Sequence, residues 1–262
     1  MSRNNLKNER LGQERCNYQG CIMKIVSYQD SNHMTVEFQD KYRAQVPVHW
    51  CWFDSGKVKN PYAPSIYDMA FSGSKYPICE NSTPTKEYNA WRDMLRRCYD
   101  MQYLSLHPTY EKAEVCSEWL NYENFYEWIH SQSNYALWNN SKNWHVDKDI
   151  IQKGNKIYCP EKCCLIPQQI NKLFIKHDKD RGNYPIGVHL RKDNNYFRAS
   201  CADGTGKRVS LGQYNTFEEA FNAYKHYKEQ LIKSIAQEAF IKGEIIKSCY
   251  DGMMNYTVEI TD

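Results

Sequence analysis

The sequence predicts an α+β protein in three parts: a small N-terminal β unit, a strand–turn–strand–helix centre with flanking helices, and a C-terminal three-stranded antiparallel sheet packed on one helix. Three observations carry this. β-Branched and aromatic residues alternate with polar ones over Cys21–Tyr28 and Met34–Phe38. The period changes to helical spacing at Tyr88. A complete helix-start signal stands at Thr216, after three short strand patterns.

Residues 1–10 are polar and read as a frayed end. Residues 11–61 form the β unit. Gln29-Asp30-Ser31-Asn32 turns between its first two strands, and Pro47 marks Ala44–Val48 as an edge strand. Residues 62–86, rich in Pro, Ser, Gly and Tyr, read as a linker. Within the central domain, residues 87–178, Tyr88, Trp91, Met94, Leu95, Cys98 and Tyr99 make one helix stripe. Trp119, Phe125 and Trp128 are expected in the core. Residues 143–175 read as a strand, a turn at Gly154-Asn155, a second extended piece to Pro160, and a helix from Pro167 with Ile170, Leu173 and Phe174 inward. In the last domain, residues 180–240, strands at Ile186–Lys192, Tyr196–Cys201 and Lys207–Tyr214 precede a helix whose capping box pairs Thr216 with Glu219. Phe217, Ala220, Phe221, Tyr224, Tyr227, Leu231 and Ile235 form its apolar face. Residues 241–262 read as a tail with one strand at Tyr256–Ile260.

Composition narrows the function classes. The chain has 262 residues, a net charge of +3 and a mean hydropathy of -0.80. No apolar run reaches the ~18 residues of a membrane span, so no membrane partner is expected. The N-terminus lacks the apolar stretch of a secretory signal. Eleven cysteines, an odd number, then read as reduced thiols in a cytoplasm. Cys159, Cys163 and Cys164, with Cys116, supply one close cluster rather than the two separated pairs of a structural zinc site, so zinc is disfavoured. Phosphate-loop, nucleophile-elbow and dinucleotide patterns are absent from the sequence.

The C-terminal sheet concentrates positive charge. Residues 176–214 hold eight Lys/Arg against four Asp, a net +4. If Phe197, Ala199 and Cys201 face the helix, Tyr196, Arg198 and Ser200 face outward. Neighbouring strands then add His189, Arg191 and Lys192, and Arg208 and Ser210. Arginine, hydroxyl and aromatic groups on a sheet suit phosphates and base edges, although an ordinary solvated face carries the same residues. The string Gly187-Val188-His189-Leu190-Arg191, then Tyr196-Phe197-Arg198-Ala199, then Leu211-Gly212-Gln213-Tyr214-Asn215-Thr216-Phe217-Glu218-Glu219-Ala220 and Ala223-Tyr224 resembles the Apetala/ethylene-response-factor type of DNA-binding domain over about fifty residues. Such domains also occur in bacterial and phage integrases and homing endonucleases. Phe197 stands where that family has Trp, and His189 where it has Arg. The resemblance implies double-stranded DNA as partner.

Trp144-His145-Val146-Asp147-Lys148-Asp149, Gly154-Asn155-Lys156, Cys163-Cys164-Leu165-Ile166-Pro167 and Asn171 resemble the ββα-metal core of HNH endonucleases. With the upstream aromatic helices the chain is similar to phage HNH or homing endonucleases. That resemblance implies that Asp147 and Asn171 hold Mg²⁺ or another divalent cation, in a bacterial host cytoplasm. It places the general base at position 148, where this chain has Lys148 instead of the family's His. An unperturbed lysine, with a pKa near ~10.4, is not deprotonated at neutral pH and makes a poor base. His145 reads first as an ordinary core or surface histidine and second as a replacement base; Asp149 is a further carboxylate. Two readings stay open: a DNA-binding protein that cleaves phosphodiesters, or a catalytically degenerate HNH-fold interaction protein. The second would be a phage-encoded inhibitor of a host defence system with a host protein target, or a DNA-binding regulator.

Overall fold

A computed structural model describes residues 3–175, 184–191 and 195–262. The chain divides into two compact units, residues 1–106 with 116–127, and residues 107–115 with 128–262. The boundaries read from the sequence fall elsewhere, at 61, 86 and 178.

The first unit opens with helix α1 (Arg3–Arg10), so the expected frayed end is helical from Arg3. Strands β1 (Glu14–Cys16), β2 (Ile22–Asp30), β3 (His33–Phe38) and β4 (Gln45–Val48) form an antiparallel meander in that order. Met23 pairs with Phe38 and Ile25 with Val36, so period-two alternation places all four side chains in one core with Phe53 of helix α2 (Trp50–Asp54). Pro47 lies on β4, at the edge of the sheet, where its missing N–H breaks no ladder.

Residues 62–86 are held more firmly than a linker. Glu123 on helix α5 (Tyr122–Ser131) accepts from the Tyr62 hydroxyl at 2.9 Å and from the Ser74 and Lys75 amides at 2.9 and 2.8 Å. One carboxylate thus accepts from a hydroxyl and two consecutive amides of this segment. Strands β5 (Cys79–Glu80) and β6 (Thr83–Pro84) follow, then α3 (Lys86–Tyr99), capped by Thr85, and α4 (Met101–Leu106). The buried Trp91 indole of α3 donates to the Trp119 carbonyl at 2.7 Å. Trp119 and Phe125 are fully buried, as their size predicts.

In the second unit β7 (Glu114–Val115) pairs in parallel with β9 (Ile157–Tyr158). Helix α6 (Tyr135–Asn140) leads to β8 (Trp144–Asp147), which pairs antiparallel with β10 (Cys164–Pro167), and α7 (Gln168–Lys172) follows at once. The extended piece near Pro160 is therefore not the partner of β8. The loop 148–157 is closed by Asn155, whose side chain donates to the Lys148 and Ile157 carbonyls and accepts from the Ile157 amide. That closure sends β9 away to β7.

Strands β11 (Val188–Arg191), β12 (Tyr196–Ala202) and β13 (Arg208–Tyr214) form an antiparallel sheet backed by α8 (Phe217–Ile241), the long helix that begins at the Thr216 capping box. The first half of α8 puts Ala220, Phe221 and Tyr224 under the sheet with Val188, Ala199 and Cys201. Its second half puts Ile232, Ala236 and Ala239 against Ile150, Cys164, Ile166 and Ile170. One helix thus serves the sheet and the β8–β10–α7 centre. Residues 241–262 are no free tail: α9 (Lys247–Met254) brings Cys249 and Met253 into the same core, and Tyr256–Ile260 is not a strand. Gly252 explains the close approach, because a Cβ there would meet the Ile150 carbonyl oxygen at 2.3 Å. The buried Asn134 amide fastens the segment by donating to the Leu165 and Glu244 carbonyls at 3.0 and 2.9 Å. No described helix is long and apolar enough to cross a membrane.

Candidate functional site

The outer face of the C-terminal sheet gathers most of the candidates. Register pairs His189 with Arg198 and Arg198 with Gln213, one row across three strands. Arg191 pairs with Tyr196, two residues along, on the same face. A bulge decides the rest. Ala199 pairs with Gly212 but Ser200 pairs with Ser210, leaving Leu211 as the extra residue. Leu211 turns toward the α8 core, and the shift brings Ser210 and Arg208 to the outer side. Without it, two-residue alternation from Gln213 would point both at the helix. Lys192 lies outside the described residues.

Three cations or near-cations meet here. Arg208 donates from Nη1 to His189 Nε2 at 3.3 Å. Partial burial, then the guanidinium groups of Arg208 and Arg198, push the His189 pKa below its ordinary value. No carboxylate among the described residues pairs with Arg198 or Arg208, so their charge is offered to whatever lies on the face. Gln213, exposed in the central row, escapes a reading of the sequence because the Leu211 bulge hides its parity with Ser210.

The second candidate site lies on β8 and α7. His145 and Asp147 share a face of β8, and α7, which carries Asn171, packs against β8 and β10. Asp147 Oδ1 accepts the Asp149 and Ile150 amides at 2.8 and 2.9 Å, which fixes the carboxylate at the strand end. Burial raises its pKa above the usual carboxylate range, and Asp149 adds to that; the two amide bonds and Lys148 act against it. A desolvated carboxylate with an oxygen to spare favours an incoming cation.

Lys148 sits differently. Its residue is buried, and its ammonium donates to both Asp149 oxygens at 2.7 and 2.8 Å and to the Asn155 carbonyl at 3.2 Å. Three acceptors match its three N–H bonds, and a protonated amine has no lone pair. Position 148 therefore works as an anchor for the 148–157 loop. The structure brings His145 and Asp147 onto one strand face and holds the Lys148 ammonium against Asp149 and the Asn155 carbonyl.

Among the described residues no three His, Cys, Asp or Glu side chains converge on one point. Asp147 on β8 and Asn171 on α7 each carry a side-chain oxygen. All eleven cysteines are free thiols. Burial pushes Cys163 far up, and a hydrogen bond with Cys249, then burial, does so for Cys164. Such thiols stay protonated. Comparison with family models, with curated proteins and with solved structures finds no match.

Proposed function

We propose that this protein binds double-stranded DNA through the outer face of β11–β12–β13, with Arg191, Arg198 and Arg208 on phosphates or guanine edges and His189, Tyr196, Ser210 and Gln213 between them. The observation that carries this reading is the alignment of these side chains on the face opposite α8, with Arg198 and Arg208 lacking carboxylate partners among the described residues. A duplex supplies the missing anions, and a two- or three-stranded sheet fits its major groove. The chemistry proposed for the β8–α7 centre is phosphodiester cleavage. Asp147 and Asn171 would hold a divalent cation, which when bound would stabilise charge on the scissile phosphate. His145, on the same strand face as Asp147, would take a proton from water.

A specific observation favours the second reading, a non-cleaving DNA-binding or host-protein-binding role: the residue in the base position is a locked ammonium. Incubating the purified chain with plasmid DNA, with and without Mg²⁺ or Mn²⁺, tests both. Retarded and nicked DNA supports the first reading, and retarded but intact DNA the second. No retardation at low salt overturns the DNA assignment.

A further inference from the structure

We infer that His189 is the proton-linked contact of the outer sheet face, neutral in the free protein and protonated in the complex, so that engaging a polyanion takes up one proton. This rests on the DNA-binding reading above and adds to it a pH response located at one residue.

The Arg208–His189 hydrogen bond sets the protonation of the ring. A guanidinium only donates, so His189 Nε2 accepts, and an accepting ring nitrogen carries a lone pair. The imidazole is then the neutral form with its hydrogen on Nδ1. Protonation would place an N–H against the Arg208 N–H and a third positive charge beside two guanidiniums. The charged groups facing the ring are Arg198 from β12 and Arg208 from β13, with Arg191 further along its own strand. No carboxylate among the described residues enters its surroundings. The free site thus opposes the imidazolium, in the direction its lowered pKa shows.

A phosphate group reverses each of these influences. It accepts from Arg208, which frees Nε2, and its negative charge offsets the repulsion among the three cations. Nε2 then takes a proton from solvent and becomes a further donor to the phosphate. No bond other than N–H forms, and the proton is drawn from the buffer. An arginine at position 189 would give a pH-independent contact, whereas histidine makes the affinity respond to pH in the range where cells and compartments differ.

The test uses the full chain and a duplex oligonucleotide at constant ionic strength, from about pH 5.5 to about pH 8. Affinity should rise on acidification, approaching but not exceeding tenfold per pH unit, the limit for one proton. Calorimetry in two buffers of different ionisation enthalpy should give an uptake near one proton for the wild type and near zero for His189→Gln. In the free protein the His189 ring, followed by NMR, should titrate below the ordinary histidine value and move up when duplex is added. Arg208→Gln should also raise it. Parallel pH profiles for the wild type and His189→Gln, or a free-protein titration at the ordinary value, overturn the inference and leave DNA binding standing. No duplex binding at any pH overturns both.

Discussion

Lys148 and Asn155 exchange hydrogen bonds: the Lys148 ammonium donates to the Asn155 carbonyl at 3.2 Å, and the Asn155 amide donates to the Lys148 carbonyl at 2.8 Å. Both residues are buried, and Asn155 also donates to and accepts from Ile157. The pair closes the loop that follows Asp147. Asn155→Ala should therefore leave buried backbone groups without partners and lower stability by about 1–3 kcal/mol. Lys148→Met should cost a similar amount, since the Asp149 end of its ion pair is half exposed and adds little. Urea denaturation of the single and double variants measures this. The double variant should lose less than the sum, because the two residues act on one loop.

Duplex binding should weaken steeply with salt, since each neutralised phosphate releases counterion. Arg198→Ala with Arg208→Ala should lower the magnitude of the log K against log salt slope by about 0.9 for each phosphate no longer neutralised. The variant should keep its fold, because both side chains lie on the face away from α8. Binding titrations from low to physiological salt check it. An unchanged slope removes these residues from the interface.

Much of the C-terminal fold was legible because its signals are local. The Thr216–Glu219 box, the turn residues and the alternation Phe197, Ala199, Cys201 each lie within a few residues, and the sheet on one helix follows from them. The placement of Arg208 and Ser210 was legible only by assumption, since the Leu211 bulge that sets their direction leaves no mark in the pattern. The role of residues 241–262 was hidden for another reason. Ile245, Cys249 and Met253 bury against Ile150 and Ile166, about a hundred residues away in the chain, and no periodicity in so short a helix reveals it. Lys148 illustrates the limit of motif reading. The HNH-like pattern would put a base at position 148, and what the structure shows there is an ammonium held by Asp149 and Asn155.

The C-terminal segment gives a stability prediction. Gly252→Ala would place a methyl 2.3 Å from the Ile150 carbonyl oxygen, a backbone atom that cannot move aside without shifting the loop after Asp147. Overpacking of this kind costs about 1–3 kcal/mol. The melting temperature should fall accordingly, while Gly154→Ala, whose Cβ meets nothing within 4 Å, should lose only what its positive φ of 78° imposes. An unchanged melting temperature in Gly252→Ala would mean that α9 does not pack on the loop.

Acid stability should depend on His189. Its pKa is lowered in the folded chain, so the unfolded chain binds the proton more readily. Above the ordinary histidine range the residue contributes nothing to the pH dependence; as pH falls through that range toward the lowered folded value, stability declines. His189→Gln should remove that part of the decline and leave stability at about pH 8 unchanged. Thermal melts of both proteins across this range test the sign. A variant that loses more stability in acid than the wild type contradicts it.

The last prediction separates an enzyme from a scaffold. Asp147 is fixed at the end of β8 by two backbone amides, and His145 shares its strand face, whereas the Lys148 ammonium is turned into its own cluster. If the centre cleaves DNA, Asp147→Ala should abolish divalent-dependent nicking with little change in duplex affinity, because the binding residues lie on the C-terminal sheet. His145→Ala should reduce cleavage by about 10²–10⁴-fold, the usual contribution of a general base. Lys148→His should bring no gain, since position 148 supplies an anchor, and should lower stability as Lys148→Met does. Plasmid nicking and binding assays on the three variants, each first checked for folding, read these outcomes directly. Strong cleavage appearing only in Lys148→His would return the base to position 148. A wild type and Lys148→His that both bind duplex but never cut it, with either Mg²⁺ or Mn²⁺, would make the β8–β10–α7 centre a scaffold, and its polar loop would then be read as a surface for a protein partner.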